Sequence, residues 1–185
     1  MTGLYVQKPR VINLYGGPGA GKSTIRAATF AELKFQEKSV EEILEYAKDA
    51  TWEKRGNKLF RAQEYIFGKQ HFRLANVVDE VELVITDSPI LMSLAYITPQ
   101  WPMQSLKGVV YEAYAQYDNL DIFIDRGRSY DPTGRSQTKE EAIELDNKIL
   151  KLLDERSTGY QRMKFGRDCA GKIIQILEDK GWIKA

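Results

Sequence analysis

Residues Gly16-Gly17-Pro18-Gly19-Ala20-Gly21-Lys22-Ser23-Thr24 match the phosphate-binding pattern G-x-x-x-x-G-K-[ST] at every position. The apolar run Val11-Ile12-Asn13-Leu14-Tyr15 precedes this stretch, and Ile25, Ala28 and Leu33 follow it at helical spacing. A strand, a glycine-rich turn and a helix in that order form the context the pattern requires. Glycines let successive backbone N–H groups turn inward around the β- and γ-phosphates of a nucleotide, where side chains would collide with it. Gly17, Gly19, Ala20 and Gly21 are therefore expected to form the cradle. Lys22 adds a point charge on the outer phosphates, Ser23 offers a hydroxyl to Mg²⁺, and Thr24 continues the first turn of a helix whose positive end faces the anion. A ligand-free glycine turn is the plain alternative, and the flanking strand and helix argue against it.

With 185 residues the chain is expected to form one domain, residues 1–185, large enough to bury a substantial core. A net charge of +1 argues against a strongly basic nucleic-acid surface. Cys169 has no second cysteine to pair with, no apolar run reaches membrane-spanning length, and Met1-Thr2-Gly3-Leu4-Tyr5 lacks the apolar core of a signal peptide. These features predict a soluble, cytoplasmic protein in which Cys169 is structural, at the start of a helix.

Strand and helix patterns alternate along the chain. Residues 10–15 read as a buried strand and the following helix ends near Phe35. Residues 40–44 fit a second strand near a sheet edge, and fit a helix almost as well. On the strand reading Glu45 falls at a carboxyl end, where open α/β sheets place ligand chemistry. Residues 51–59 suggest a charged surface helix and loop, and residues 60–76 a helix in which Ile66, Phe67, Gln70 and Leu74 share a face. His71, the only histidine, is expected to pack or to meet solvent rather than to react.

Residues 81–86 form a third predicted strand that runs into Asp87-Ser88-Pro89. An apolar strand ending in Asp is the pattern of the second magnesium-holding element in phosphate-loop folds. Asp87 could also cap the next helix, with Pro89 in its first turn. After an apolar segment at 90–97 come a helix at 109–116 and a fourth strand at 121–125. A Gly-, Pro- and Ser-containing stretch at 126–138 then carries Arg126, Arg128 and Arg135. Thr138 and Glu141 predict a capping box opening a helix to about Glu155. A short strand at 160–163 and a helix at 166–180 close the chain. The whole predicts an α/β fold in three layers, a mainly parallel sheet of about five strands with helices on both faces.

Three activities suit a phosphate loop. A switch GTPase needs a guanine-reading Asn-Lys-x-Asp segment, which does not follow the fourth strand. A motor or AAA-type ATPase usually has a longer chain with an added helical domain. A small kinase needs arginines that close over the transferring phosphate while water is kept out, and residues 126–138 are placed to form such a lid. A solvated surface loop is the alternative there.

Glu45-Tyr46-Ala47, Gln63-x-x-Ile66-x-x-x-Gln70-x-x-Arg73, Thr86-Asp87-Ser88-Pro89 and Gly134-Arg135-x-Gln137 stand in the order that resembles a group of phage and bacterial phosphate-loop kinases. That group is similar to the ribosylnicotinamide kinase domain of bifunctional NAD-biosynthesis proteins and, more distantly, to deoxynucleoside kinases. Asp87-Ser88-Pro89 departs from the Glu-Arg-Ser of the latter. The resemblance implies an ATP- and Mg²⁺-dependent transfer of the γ-phosphoryl group to a hydroxyl of a nucleoside- or nucleotide-like acceptor. Glu45 or Asp87 would take the acceptor proton, Ser23 and Asp87 would hold the metal, and Arg126, Arg128 and Arg135 would steady the γ-phosphoryl. Some phage kinases of this broad type resemble enzymes acting on a hydroxymethylated pyrimidine in DNA. For such an acceptor Trp52, Trp101, Tyr111 and Tyr114 would stack on bases, and Arg55, Lys58, Arg61 and Lys107 would meet phosphates, unless the aromatics are core. The alternative reading is a nucleotide-dependent ATPase, switch or binding module without an acceptor.

Overall fold

Residues 11–15, 83–86 and 120–124 are buried without a break, as expected of strands in a sheet covered on both sides. The computed structural model describes residues 8–48, 61–100, 102–127, 138–156 and 159–184. Its elements run β1 (Arg10–Tyr15), α1 (Lys22–Phe35), β2 (Val40–Ile43), α2 (Gln63–Ala75), β3 (Leu83–Thr86) and α3 (Met92–Ala95), then α4 (Gln104–Tyr114), β4 (Asp118–Asp125), α5 (Lys139–Arg156), β5 (Gln161–Lys164) and α6 (Cys169–Asp179). All four strand pairings are parallel, in the order β2-β3-β1-β4-β5. Residues 40–43 are thus a strand, at the edge of the sheet, and the expected five-stranded parallel architecture is present.

On one face Ile12, Leu14, Leu83, Ile85, Ile122 and Ile124 pack against Ile25 and Leu33 of α1 and Ile173 and Leu177 of α6. On the other, Val11, Tyr15, Val84 and Phe123 meet the apolar stripes of α2, α3, α4 and α5. Each stripe has helical spacing, as in Ile25, Thr29 and Leu33 of α1. Thr138 and Glu141 close the predicted capping box, Glu141 N–H donating to Thr138 Oγ1 at 3.2 Å and Thr138 N–H to Glu141 Oε2 at 2.7 Å. Cys169 is buried, as expected of a structural residue. Among the described residues no helix is long and apolar enough to cross a membrane.

Three boundaries differ from expectation, and at the first of them side chains supply what the local pattern lacks. β4 starts at Asp118, ahead of the expected start at Asp121. Asn119 Nδ2 donates to Tyr114 O and Tyr117 O at 2.9 and 3.0 Å while its Oδ1 accepts from Asn13 Nδ2 at 2.9 Å. α4 begins earlier than its apolar set suggested, at Gln104, and α2 later, at Gln63. His71 is a packing residue: its ring stacks on Phe67 at 5.5 Å and its Nε2 meets the Tyr117 hydroxyl at 3.0 Å. Burial pushes its pKa below the ordinary histidine range.

Tyr114 is corrected from a base-stacking residue to a core residue. It is 2% exposed and its hydroxyl bonds to Asp121 Oδ2, while Asp121 Oδ1 accepts from Asn13 Nδ2 at 3.0 Å. Trp52, Arg55, Lys58 and Trp101 lie outside the described residues. Lys107 is an exposed partner of Glu155 at 3.4 Å and sits over the Tyr111 ring. Because a hydrogen bond to a buried charge contributes about 1.5–3 kcal/mol, Tyr114→Phe should lower unfolding free energy by that amount in urea titrations. An unchanged midpoint would show that Asp121 does not depend on the phenol.

Candidate functional site

Strand register gathers the sequence-distant candidates on one edge. Asn13 pairs with Thr86, Ile43 with Thr86, and Tyr15 with Phe123, so β1, β2, β3 and β4 end together. Residues 16–21, Glu45, Asp87 and Arg126 all leave the sheet at that carboxyl edge, where parallel sheets bind ligands.

The loop is confined to the width of a glycine backbone. Gly16, Gly19 and Gly21 have φ of 136°, 81° and 103°. A Cβ on Gly21 would fall 2.1 Å from the Phe165 ring, and one on Gly17 would fall 2.7 Å from both Ala142 O and the Arg126 guanidinium. Gly21 is also the N-cap of α1. It offers no side chain to cap the first-turn amides, and that turn holds no acidic residue. A helix start built this way is an anion site in form. Ser23 and Thr24 occupy its first turn, and Ala20 is fully buried behind it.

Lys22 Nζ donates to Gly16 O at 2.6 Å and Gly17 O at 3.2 Å, folded over the cradle. Burial pushes its pKa below the ordinary lysine range, Arg126 adds to that, and the carboxylates of Glu45, Asp87 and Asp146 act in the opposite sense. The structure thus brings Lys22, Glu45 and Asp87 into one electrostatic group, as the sequence predicted, and adds Asp146.

Asp87 is 4% exposed, and its Oδ1 has no hydrogen-bond partner among the described residues. It does not cap α3, whose N-cap is Leu91 and has no side-chain cap bond. An unsatisfied carboxylate oxygen one strand away from the Ser23 turn fits a divalent cation. Arg126 is tied inward: Nε donates to Asp146 Oδ2 at 2.6 Å, Nη1 to Pro18 O at 2.5 Å and Nη2 to Ala142 O at 3.0 Å. Asp146 also accepts from Gly17 N–H at 2.5 Å. Arg128 and Arg135, with most of the expected lid at 126–138, lie outside the described residues.

Glu45 is held through its backbone neighbours. Gln70 Oε1 accepts from Tyr46 N–H at 3.1 Å and its Nε2 donates to Leu44 O at 3.3 Å, while Arg73 Nη1 donates to the same carbonyl at 3.0 Å. Gln70 is 3% exposed, on the buried stripe of α2. Half-buried Tyr96 lies close enough to Glu45 and Asp146 that, after burial itself, their charges raise its phenol pKa above the ordinary range.

Sequence reasoning missed Asp146, Tyr96 and Arg26. Only Asp146 left a signal, an acid four residues after Ala142 and three before Ile149 on the apolar stripe of α5. Gly21→Ala should cost about 2–4 kcal/mol from the collision with Phe165 and the positive φ, which is roughly 5–15 °C in Tm for a chain this long. Gly68→Ala on α2, where a Cβ meets nothing within 4 Å, should gain about 0.5–1 kcal/mol. Paired melting curves check both signs.

Against known proteins, the family profile described as an AAA domain matches residues 11–167. A deoxyadenosine kinase of M. mycoides with dCTP bound superposes with a TM-score of 0.58 at 15% identity, over 91% of this chain and 99% of that one. The same kinase with dCMP and dCDP bound gives 0.54 at 18% identity, over 94% and 100%. Shikimate kinase from Acinetobacter baumannii in complex with shikimate gives 0.55 at 16% identity, over 94% of each chain. No curated protein sequence matches. At such identities the likeness establishes the fold, that of P-loop kinases. The profile corrects the expectation that chain length sets AAA-type proteins aside, since a chain of this size carries the domain across most of its length. By that match the chain belongs to the AAA-domain family of phosphate-loop proteins.

Proposed function

We propose that this chain is an ATP-dependent kinase that transfers the γ-phosphoryl group to a hydroxyl of a nucleoside- or nucleotide-like acceptor, free or within DNA. The observation that carries the reading is Lys22, an ammonium penalised by burial and set among Glu45, Asp87 and Asp146 at the mouth of an uncapped helix. A polyphosphate reverses that penalty, and a carboxylate beside it can receive a proton from an alcohol. The kinase fold of the structural neighbours supports the same class.

In this mechanism the acceptor oxygen bonds to the γ-phosphorus as its proton passes to Glu45, and the bond from that phosphorus to the bridging oxygen breaks to release ADP. Lys22 and the loop amides offset charge on the phosphate oxygens. Arg126, Arg128 and Arg135 act on the same oxygens. Ser23 and Asp87 would hold Mg²⁺, which when bound neutralises phosphate charge. The bare Asp87 Oδ1 fits that role. Glu45 is preferred to Asp87 as the base because Gln70 and Arg73 fix the backbone on both sides of it. A base-bearing acceptor is supported by Tyr46 and Tyr65, edge-on at 5.8 Å, with Arg73 and Lys69 over their rings. A hydroxymethylpyrimidine in phage DNA is the narrower form of this reading.

The second reading, hydrolysis or switching without an acceptor, is favoured by one observation, that Arg126 is engaged within the loop. Incubation with γ-labelled ATP and a panel of nucleosides, nucleotides and hydroxymethyl-containing DNA separates the two. Label on an acceptor supports the kinase, and label only in free phosphate refutes it. Lys22→Ala should abolish turnover while circular dichroism stays unchanged. Glu45→Gln should lower kcat by about 10²–10⁴, and a rate within a few-fold of wild type would move the base to Asp87.

A further inference from the structure

One cation in the site has no part in the chemistry above. Arg26 lies one turn beyond Lys22 on α1, its side chain 11% exposed. Its Nη1 forms a close ion pair with Glu42 Oε2. Its Nε stands 3.5 Å from Asp87 Oδ2 and has no hydrogen-bond partner among the described residues. Asp87 Oδ1 has none either. Guanidinium and carboxylate ordinarily settle into a fork of two parallel hydrogen bonds. Here the two meet only as a loose ion pair through Oδ2, and the buried Nε and the buried Oδ1 each go without a hydrogen bond, at a cost in free energy.

Glu42 supplies the reason. On β2 it lies two residues after Val40 and so shares its face, the one covered by α1, and from the sheet edge it draws the guanidinium sideways, away from the end of β3. Its side chain is 27% exposed, so its own charge is eased by solvent, whereas that of Asp87 is 5% exposed. Glu42 takes the close contact, and one oxygen of the enclosed Asp87 is left open.

We propose that Glu42 is a positioning residue of the metal–nucleotide site, holding Arg26 aside so that one oxygen of Asp87 stays open for the Mg²⁺ that accompanies a nucleotide. This inference rests on reading the loop as a nucleotide site. Without the Glu42 charge, Arg26 turns onto Asp87 and donates from Nε and an Nη to its two oxygens. That fork has to break before Asp87 can serve a cation, so the requirement for Mg²⁺ rises while the loop amides and Lys22 still receive the phosphates.

The test titrates Mg²⁺ into the full chain with a fluorescent N-methylanthraniloyl ATP, beside an EDTA control, for wild type, Glu42→Gln and Arg26→Met/Glu42→Gln. Glu42→Gln should raise the Mg²⁺ midpoint by about tenfold, the worth of a charged hydrogen bond, with affinity in EDTA unchanged. The double variant, which has no guanidinium to form the fork, should return to the wild-type midpoint. An unshifted midpoint in Glu42→Gln, an equal loss of affinity in EDTA, or a double variant as impaired as the single one would each overturn the role of Glu42. Should Glu42→Gln prove unfolded by circular dichroism, Glu42→Asp, still charged but too short for the same contact, is held to the same outcomes. Absence of Mg²⁺-dependent uptake by the wild-type chain would instead overturn the nucleotide reading itself, and this inference with it.

Discussion

The site depends on a backbone packed too closely for side chains. Residues 16–21 pass between the Phe165 ring, the end of β4 and the first turns of α5, and at Gly17 and Gly21 a single methyl group would strike neighbours inside 3 Å. Such confinement fixes the path of a short loop, because interiors at crystal-like density leave little room to rearrange. It also explains why the loop is braced from outside its own strand and helix. Asp146 receives Gly17 N–H, and Arg126 reaches from the end of β4 to Pro18 O and Ala142 O. The phosphate loop is thus set by elements that arrive in the chain far later than the motif.

Charge follows from the same geometry. A parallel sheet delivers the ends of its strands to one edge, so an acid placed just past β2 or β3, or an arginine just past β4, reaches the loop whatever its distance in sequence. Three carboxylates bear on Lys22 there, yet burial outweighs them and its pKa still falls below the ordinary range. The group has room for further negative charge only if that charge comes with hydrogen-bond acceptors for the loop amides. A phosphate chain has both properties.

Much of this was legible in the sequence wherever a local rule decides the outcome. The phosphate loop, the Thr138 and Glu141 capping box, and the strands and helical stripes all obey spacing rules that need no tertiary partner. Even the choice between strand and helix at residues 40–43, left open by composition, was settled in the direction that makes Glu45 a strand-end residue. What stayed hidden were pairings across the fold. Tyr114 reads as an exposed aromatic until Asp121 is placed beneath it, and Arg126 reads as a free arginine until Asp146 arrives from α5. Gln70 sits on an apolar stripe where its amide has meaning only once the Leu44 to Tyr46 backbone is seen to pass in front of it. Arg26 carried no signal, because nothing in its neighbours along α1 names Glu42 as its partner.

The two candidate carboxylates are separated by which helix each one answers to. Asp87 is engaged from the α1 side, by Arg26, the helix that also carries Lys22 and Ser23. Glu45 is fixed from the opposite side of the sheet, its flanking backbone strapped by Gln70 and Arg73 of α2. On the proposed kinase reading, an acid paired with the phosphate-loop helix would suit the metal. An acid bound to α2, beside Tyr46 and Tyr65, belongs to the surface an acceptor would approach. On that reading these two acids, equivalent by composition, would divide their work, one beside the helix of the phosphate loop and the other beside the helix nearer the acceptor.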